Sequence, residues 1–282
     1  MNGIAPASRP QLDLAFVRRG DRTVLDRRLF RWPFVLTRTF TLDRVPAHLL
    51  TVILQTSSGA VHGEDRLAQR FSIGPGAAAH CTTQGASPIH RAHPGATTRD
   101  AVDIQVAPGG YFEHWPEARI LFPDAALDQT IDVNCDRGGA ALMGDAFTVH
   151  DPEARGRSFR RLRSTLDLRC SGEILALDRL DIRGMGRGPT ANFKAFATVV
   201  LFQPGEDEAA ARLVEALAAA LEEHETVYAA ASLLPAGAGL VVRLAGRELR
   251  HVRMGMSLVR SHVRHALYGA APTPGRLHPR FA

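Results

Sequence analysis

Lysine is almost missing from this chain. Lys194 stands alone among 34 basic residues, so arginine carries the net charge of +5 and the pI near 9.7. Cysteine is scarce as well: Cys81, Cys135 and Cys170 are odd in number and never stand in a C-x-x-C pair. That excludes a disulfide framework and a thiolate zinc site, and leaves each as a small apolar side chain. No apolar run approaches the ~18 residues that span a bilayer; "LLTVIL" and "TVVLF" are core strands at most. The opening "MNGIAPASRPQLDL" lacks the charged-then-apolar pattern of an export signal, so the cytoplasm is the expected compartment and no membrane partner is expected. Catalytic signatures are missing too. There is no G-x-S-x-G elbow, no H-x-H and no H-E-x-x-H. The glycines of "GAVHGEDR" are followed by acids, which repel phosphate, and not by the Lys-Ser/Thr of a phosphate loop.

What is present reads as a soluble globular chain: 45% hydrophobic and 22% charged over 282 residues, enough to bury a sizeable core. Period-two alternation dominates the first two-thirds. It places Leu67, Phe71 and Ile73 on one strand face, Val102, Ile104 and Val106 on a second, and Leu127, Ile131 and Val133 on a third. Between them the turns repeat: "SIGPGAAAH", "QVAPGGYFEH" and "VNCDRGGAALM" each run strand, glycine turn, small or apolar residues. Pro75 and Pro108 stand 33 positions apart, with the third turn at a comparable interval. A period of ~30 residues predicts stacked units that bury one another's faces; an ordinary sandwich with proline–glycine turns accounts for the same punctuation.

After "ATVVLFQPG" the texture changes. "EDEAAARLVEALAAALEEHE" carries Leu213, Leu217 and Leu221 at helical spacing behind an acidic first turn. A hairpin turning at Pro235–Gly239 follows, then a second helix with Leu249, Val252, Met256, Val259 and Val263 on its apolar seam. Arg250, Arg253, Arg260 and Arg264 fall on its other face, expected to be exposed. The predicted fold is mainly β: stacked mixed sheets in a solenoid-like scaffold, with two helices in the C-terminal third. We read 1–282 as one domain, with a β body over about 12–203, a helix–hairpin–helix part over about 205–268 and a loose tail over 269–282.

Three chemistries fit the residues. The block "ARGRSFRRLRS" is basic enough for nucleic acid, but Phe159 is its single aromatic and it runs into the strand "TLDLR"; a solvated strand face is the expected reading and no nucleic acid is expected. His62, His80, His90, His93 and His114, with Glu64, Asp65, Glu113 and Asp145, supply donors for a metal-dependent β-fold enzyme, though at spacings that enforce no coordination geometry. The same dispersed donors suit a protein that passes a metal along, since a complete cage would hold the ion too tightly to release it.

The stretch "SSGAVHGEDRL" resembles the glycine-rich acidic signature Gly-Gly-x-x-Gly-Gly-Asp-Arg-Leu of the urease accessory protein family UreD (also UreH). Gly59, Gly63, Asp65, Arg66 and Leu67 match, whereas Ala60 and Glu64 replace glycines. The likeness continues in order. In "GPGAAAHCTTQGASPIHRA", Thr82, Thr83 and Gln84 match and His90 replaces an aromatic; "APGGYFEHWPEARILFPDA" matches through Pro116 and Phe122; "LMGDAF" puts Asp145 where the family has Glu. The family's Gly-Arg-x-x-x-x-Glu segment is altered here to "VHDPEARGRSF". The resemblance covers roughly residues 20–268 and resides in order and spacing more than in any one motif.

This resemblance implies a non-enzymatic urease maturation chaperone that binds apo-urease, a UreF-type protein and a UreG-type GTPase, with no permanently bound cofactor and with Ni²⁺ in transit. It also implies that Asp65, Glu64, His62 and Asp145 are stepping stones for nickel, because imidazole and carboxylate both accept that ion. Gly59 and Gly63 are expected to shape the turn that presents Asp65. Trp115, Arg253, Arg260 and Arg264 are the expected partner contacts.

Overall fold

A computed structural model describes residues 9–185 and 192–273; the rest of the expected tail, from 274 on, lies outside the described residues. The chain opens with a hairpin of β1 (Leu12–Arg19) and β2 (Arg22–Phe30), followed by β3 (Phe34–Val35), β4 (Thr39–Phe40) and β5 (Leu50–Thr56). Three successive coils come next. They are β6 (Arg66–Ile73) with β7 (Ala78–Thr83) and β8 (Ser87–Ile89); β9 (Thr98–Val106) with β10 (Tyr111–Trp115) and β11 (Arg119–Leu121); and β12 (Ala126–Cys135) with β13 (Ala140–Val149). A hairpin of β14 (Arg161–Cys170) and β15 (Glu173–Ile182) leads to β16 (Ala195–Phe202). The chain then forms α1 (Asp207–Glu222), the hairpin β17 (Val227–Leu233) and β18 (Gly239–Gly246), and α2 (Leu249–Tyr268).

The coils stack as the turn repeat predicts. In one sheet of seven strands, ordered β15-β14-β12-β9-β6-β1-β2, the run from β1 through β6, β9 and β12 to β14 is parallel. The facing sheet runs β17-β18-β16-β13-β10-β7-β5-β3, with β5, β7, β10 and β13 parallel. The glycine turns hydrogen-bond from coil to coil: Gly76 N–H donates to Pro108 O at 3.3 Å and Gly109 N–H to Gly138 O at 2.9 Å. Parallel strands joined by such turns are a solenoid, not a hairpin-built sandwich.

Burial follows the predicted periods. Leu67, Phe71, Ile73, Val102, Ile104, Val106, Leu127, Ile131 and Val133 all point between the sheets. Burying each branched side chain is worth ~1.5–3 kcal/mol, so the inter-sheet layer is the main source of stability. A second apolar layer lies behind the larger sheet, where Leu213, Leu217 and Leu221 of α1 pack on β17 and β18, and Val252, Met256, Val259 and Val263 of α2 pack on β16 and β18. The helix α2 stops where Gly269 turns left-handed at φ 72° and its N–H caps His265 O. The order of layers is therefore sheet, sheet, helices, and the C-terminal hairpin extends the larger sheet. All three cysteines are free and buried.

Candidate functional site

Strand β10 carries the sequence "YFEHW", in which the first four residues are all buried. Alternation cannot show there, because both faces are covered. Tyr111 and Glu113 face the helices, whereas Phe112 and His114 face the other sheet. Two polar assemblies result, one on each face.

On the helix side, Glu113 is fully buried and five donors converge on its two oxygens. Oε1 accepts from the Tyr111 hydroxyl at 2.7 Å and from Arg264 at 2.8 Å. Oε2 accepts from Arg260 Nε at 2.9 Å and Nη2 at 2.7 Å, and lies 2.7 Å from His80 Nδ1. Burial pushes the Glu113 carboxyl up, but Arg260, His80 and Arg264 outweigh it and hold it well below the usual carboxylate range. His80 is pushed down by burial and by Arg260, against the pull of Glu113. We therefore read His80 as neutral, its proton on Nδ1 donated to Glu113. Charge then balances, since Asp43 lies 3.3 Å from Arg264 and supplies the second anion. Within this knot Arg264 Nε alone has no hydrogen-bond partner among the described residues. This knot ties α2 to β7, β10 and the segment before β5.

The expectation that α2 presents its arginines to solvent fails for two of them. Arg264 is fully buried and Arg260 largely so, both turned in to Glu113. The Arg260/Arg264 edge of the helix rests on the sheet, and the buried Glu113 carboxylate, with Asp43, makes arginine tolerable there. Arg253 is half-exposed and pairs with Glu117 at 3.0 Å. Trp115 is half-buried in the same seam, its ring 5.8 Å from the Arg260 guanidinium and packed over Gly144, where a Cβ would meet it at 2.8 Å.

Between the sheets runs a chain of polar contacts. Gln69 donates to Asp100 at 3.0 Å; Arg119 bridges Asp100 at 3.0 Å and Asp145 at 2.5 Å; Gln129 donates to Asp145 at 2.8 Å and to Ser164 at 3.2 Å. Asp145 is thus held by a guanidinium and an amide. His114 lies against this chain, and burial together with Arg119 lowers its pKa to about 4, which keeps it neutral. Gln129 Oε1 is buried with no hydrogen-bond partner among the described residues.

The acidic glycine stretch lies elsewhere, at one wall of an open cleft of about 510 Å³ lined by His62, Gly63, His90, His93, Phe122 and Glu153 among others. Of the four expected nickel residues only His62 lines it; Glu64, Asp65 and Asp145 do not. The His62 and His90 rings stack at 5.3 Å between centroids, and His90 rests on Phe122 at 5.1 Å. His62 and Glu64 are exposed and Asp65 is half-buried. Asp65 Oδ2 accepts the His62 backbone N–H at 2.8 Å, so its carboxylate closes the turn. Gly59 and Gly63 serve the turn differently. Gly59 takes φ +65°, whereas Gly63 is needed for space: a Cβ there would sit 2.4 Å from Arg91 O. Glu64, where the resembled signature has glycine, holds φ +77°. No group of three or more His, Cys, Asp or Glu among the described residues is placed to hold a metal ion.

The basic block is spent internally. Arg155 pairs with Glu153, Arg157 with Asp124, Arg161 with Asp181 and Arg163 with Asp128, while Arg160 donates to the carbonyls of Ala92, His93 and Ala96. Phe159 is buried.

These features define a class: a two-sheet β-solenoid capped by two helices, with ion-paired interiors on both faces of its larger sheet. The profile of the family described as UreD urease accessory protein matches residues 8–279, and the chain belongs to that family. It is 50% identical over 274 residues to urease accessory protein UreD 2 of Bradyrhizobium sp. (strain BTAi1 / ATCC BAA-1182), covering 96% of this chain and 94% of the relative. It is 32% identical over 269 residues to urease accessory protein UreD 1 of Methylorubrum populi (strain ATCC BAA-705 / NCIMB 13946 / BJ001), covering 94% and 90%.

The Glu113 knot escaped sequence reasoning as a unit. Its members were visible as titratable residues, but 147 and 151 positions separate Glu113 from Arg260 and Arg264. The available signal was an acid inside an otherwise buried strand, facing two arginines one helical turn apart.

Proposed function

We propose that this chain is a urease maturation scaffold. It binds apo-urease together with UreF-type and UreG-type partners, supports nickel delivery to the urease active site, and catalyses no reaction itself. The observation that carries the reading is membership of the UreD family over residues 8–279. The interior chemistry supports it: Asp100, Asp145 and Asp65 are matched by arginine or backbone donors and form no closed cage that would hold an ion permanently. In this reading nickel touches His62 at the cleft, Glu64 and Asp65 in the adjoining turn, and Asp145 in the interior, where it must displace the Arg119 guanidinium.

The test is co-expression with apo-urease and a UreF-type protein. The chain is expected to co-purify with both and to raise nickel loading of urease; failure to bind either at low salt removes the reading. The nickel route is tested with Asp65→Asn, which keeps an oxygen to accept the His62 N–H but loses the charge. Nickel loading is expected to fall while complex yield holds; unchanged loading removes Asp65 from the route.

A further inference from the structure

The first 40 described residues carry a charge and an apolar surface that nothing above uses. Between residues 9 and 48 there are nine arginines against four aspartates, a surplus of five that equals the surplus of the whole chain. The remainder is therefore balanced, and the basic surplus of the protein lies within this segment. Among the described residues, no carboxylate pairs with the side chains of Arg28, Arg31, Arg38 or Arg44; Arg28 and Arg31 donate to carbonyls, and Arg38 lies over the Phe40 ring.

The same segment exposes its apolar residues. Of ten large hydrophobic side chains exposed in the described residues, five (Leu29, Phe30, Trp32, Leu42 and Val45) fall between 29 and 45. Trp32 is 67% exposed, the most of any except Tyr228. Leu29 and Phe30 are consecutive in β2 and so stand on opposite faces of the strand, yet both are open to water. Among the described residues the strand is the last of its sheet and pairs only with β1. Charged residues on an edge strand ordinarily guard it against adventitious pairing. Guarding does not explain a tryptophan, a phenylalanine and a leucine beside the guards, whereas aromatic residues and arginine together are the composition of a binding surface.

We propose that the free edge of β2, with Trp32 and the 42–45 segment, docks an acidic, apolar-bearing segment of a protein partner. The segment lies alongside Arg22–Phe30 as an added strand, its backbone satisfying the open edge. Its apolar side chains cover Trp32 and Phe30, and its carboxylates meet Arg38 and Arg44. This assignment rests on the maturation reading for the existence of a partner, but it names a surface that the cleft does not include and that meets the α2 seam only where Asp43 and the Val45 carbonyl hold Arg264.

The experiment presents apo-urease and a UreF-type protein separately to the parent chain and to Trp32→Ser, Arg38→Glu and Arg44→Glu. All three positions are exposed, so the variants are expected to fold as the parent does. One of the two proteins is expected to bind Trp32→Ser at least about tenfold more weakly. The same protein binds each charge reversal about five- to tenfold more weakly at low salt, with the deficit shrinking as salt rises. Backbone amides of β2 should slow their hydrogen exchange in that complex. If complexes form with unchanged affinity and unchanged β2 exchange, the docking surface is refuted and the maturation reading stands. If neither protein binds the parent chain, both fall. Concentration-dependent self-association abolished by Trp32→Ser would mean that a second copy covers the edge, which also overturns the proposal.

Discussion

Glu113→Gln probes the joint between the β coils and α2. Glutamine keeps the shape of the side chain but removes the charge that Arg260 and Arg264 face, and its amide places two hydrogens where donors already converge. Removing one partner of a buried ion pair costs ~3–5 kcal/mol, because the other charge remains buried. Two cations share the loss here, but the cost should not double. Asp43 stays 3.3 Å from Arg264, and the Arg260 side chain is 19% exposed and can turn toward water. We expect ~3–5 kcal/mol in a urea melt, a large part of the ~5–15 kcal/mol that holds a typical fold together. At ~2–4 °C per kcal/mol for a chain of this size, the thermal midpoint should fall by roughly 6–20 °C. Hydrogen exchange should quicken first in α2 and only later in β9 and β12, because the knot anchors the helix and not the inter-sheet layer. A variant within about 1 kcal/mol of the parent, with α2 exchange unchanged, would show that the convergence on Glu113 contributes little and that apolar packing alone seats the helix.

Two further predictions concern the interior and the cleft. His114 has a folded pKa of about 4 against an ordinary 6.5, so between those values the unfolded chain binds more protons. Stability should decline as pH falls through that window, by up to ~1.4 kcal/mol per pH unit and ~3 kcal/mol in all. The lowered His80 acts in the same direction. Urea melts at about pH 7 and about pH 5 should show the loss, and His114→Gln should reduce it; an equal loss in the variant assigns the effect elsewhere. At the cleft, Glu64→Gly should stabilise by up to ~1 kcal/mol by relieving a left-handed glutamate, after allowing for the added freedom of the unfolded chain. Gly63→Ala should destabilise by more than that, since its Cβ would collide with Arg91 O. Thermal midpoints that move together in the two variants would contradict the distinction between strain and space.

Much of the fold was legible because its signals are local. Leu67, Phe71 and Ile73 alternate on one strand, Leu213, Leu217 and Leu221 recur on one helix face, and the glycine turns recur at a fixed interval. The candidate site was legible only in parts. The "SSGAVHGEDRL" turn could be found, but that Gly63 serves packing while Gly59 serves conformation is decided by Arg91, which is distant in sequence. Asp145 could be found as an acid, but not as an acid already held by Arg119 and Gln129.

By itself, then, the sequence determined strand and helix identity and the recurring glycine turns, since each depends on periodicity within a few turns or strands, and it carried the family signature in local motifs; the parallel pairing that makes stacked coils and not a sandwich was decided by the structure. The tertiary structure alone decided which polar groups are paired inside and which are open. Pairing of Glu113 with Arg264, or exposure of Trp32 beside unpaired arginines, depends on which distant elements come to lie over each residue, and one strand's alternation carries no record of what covers its outer face.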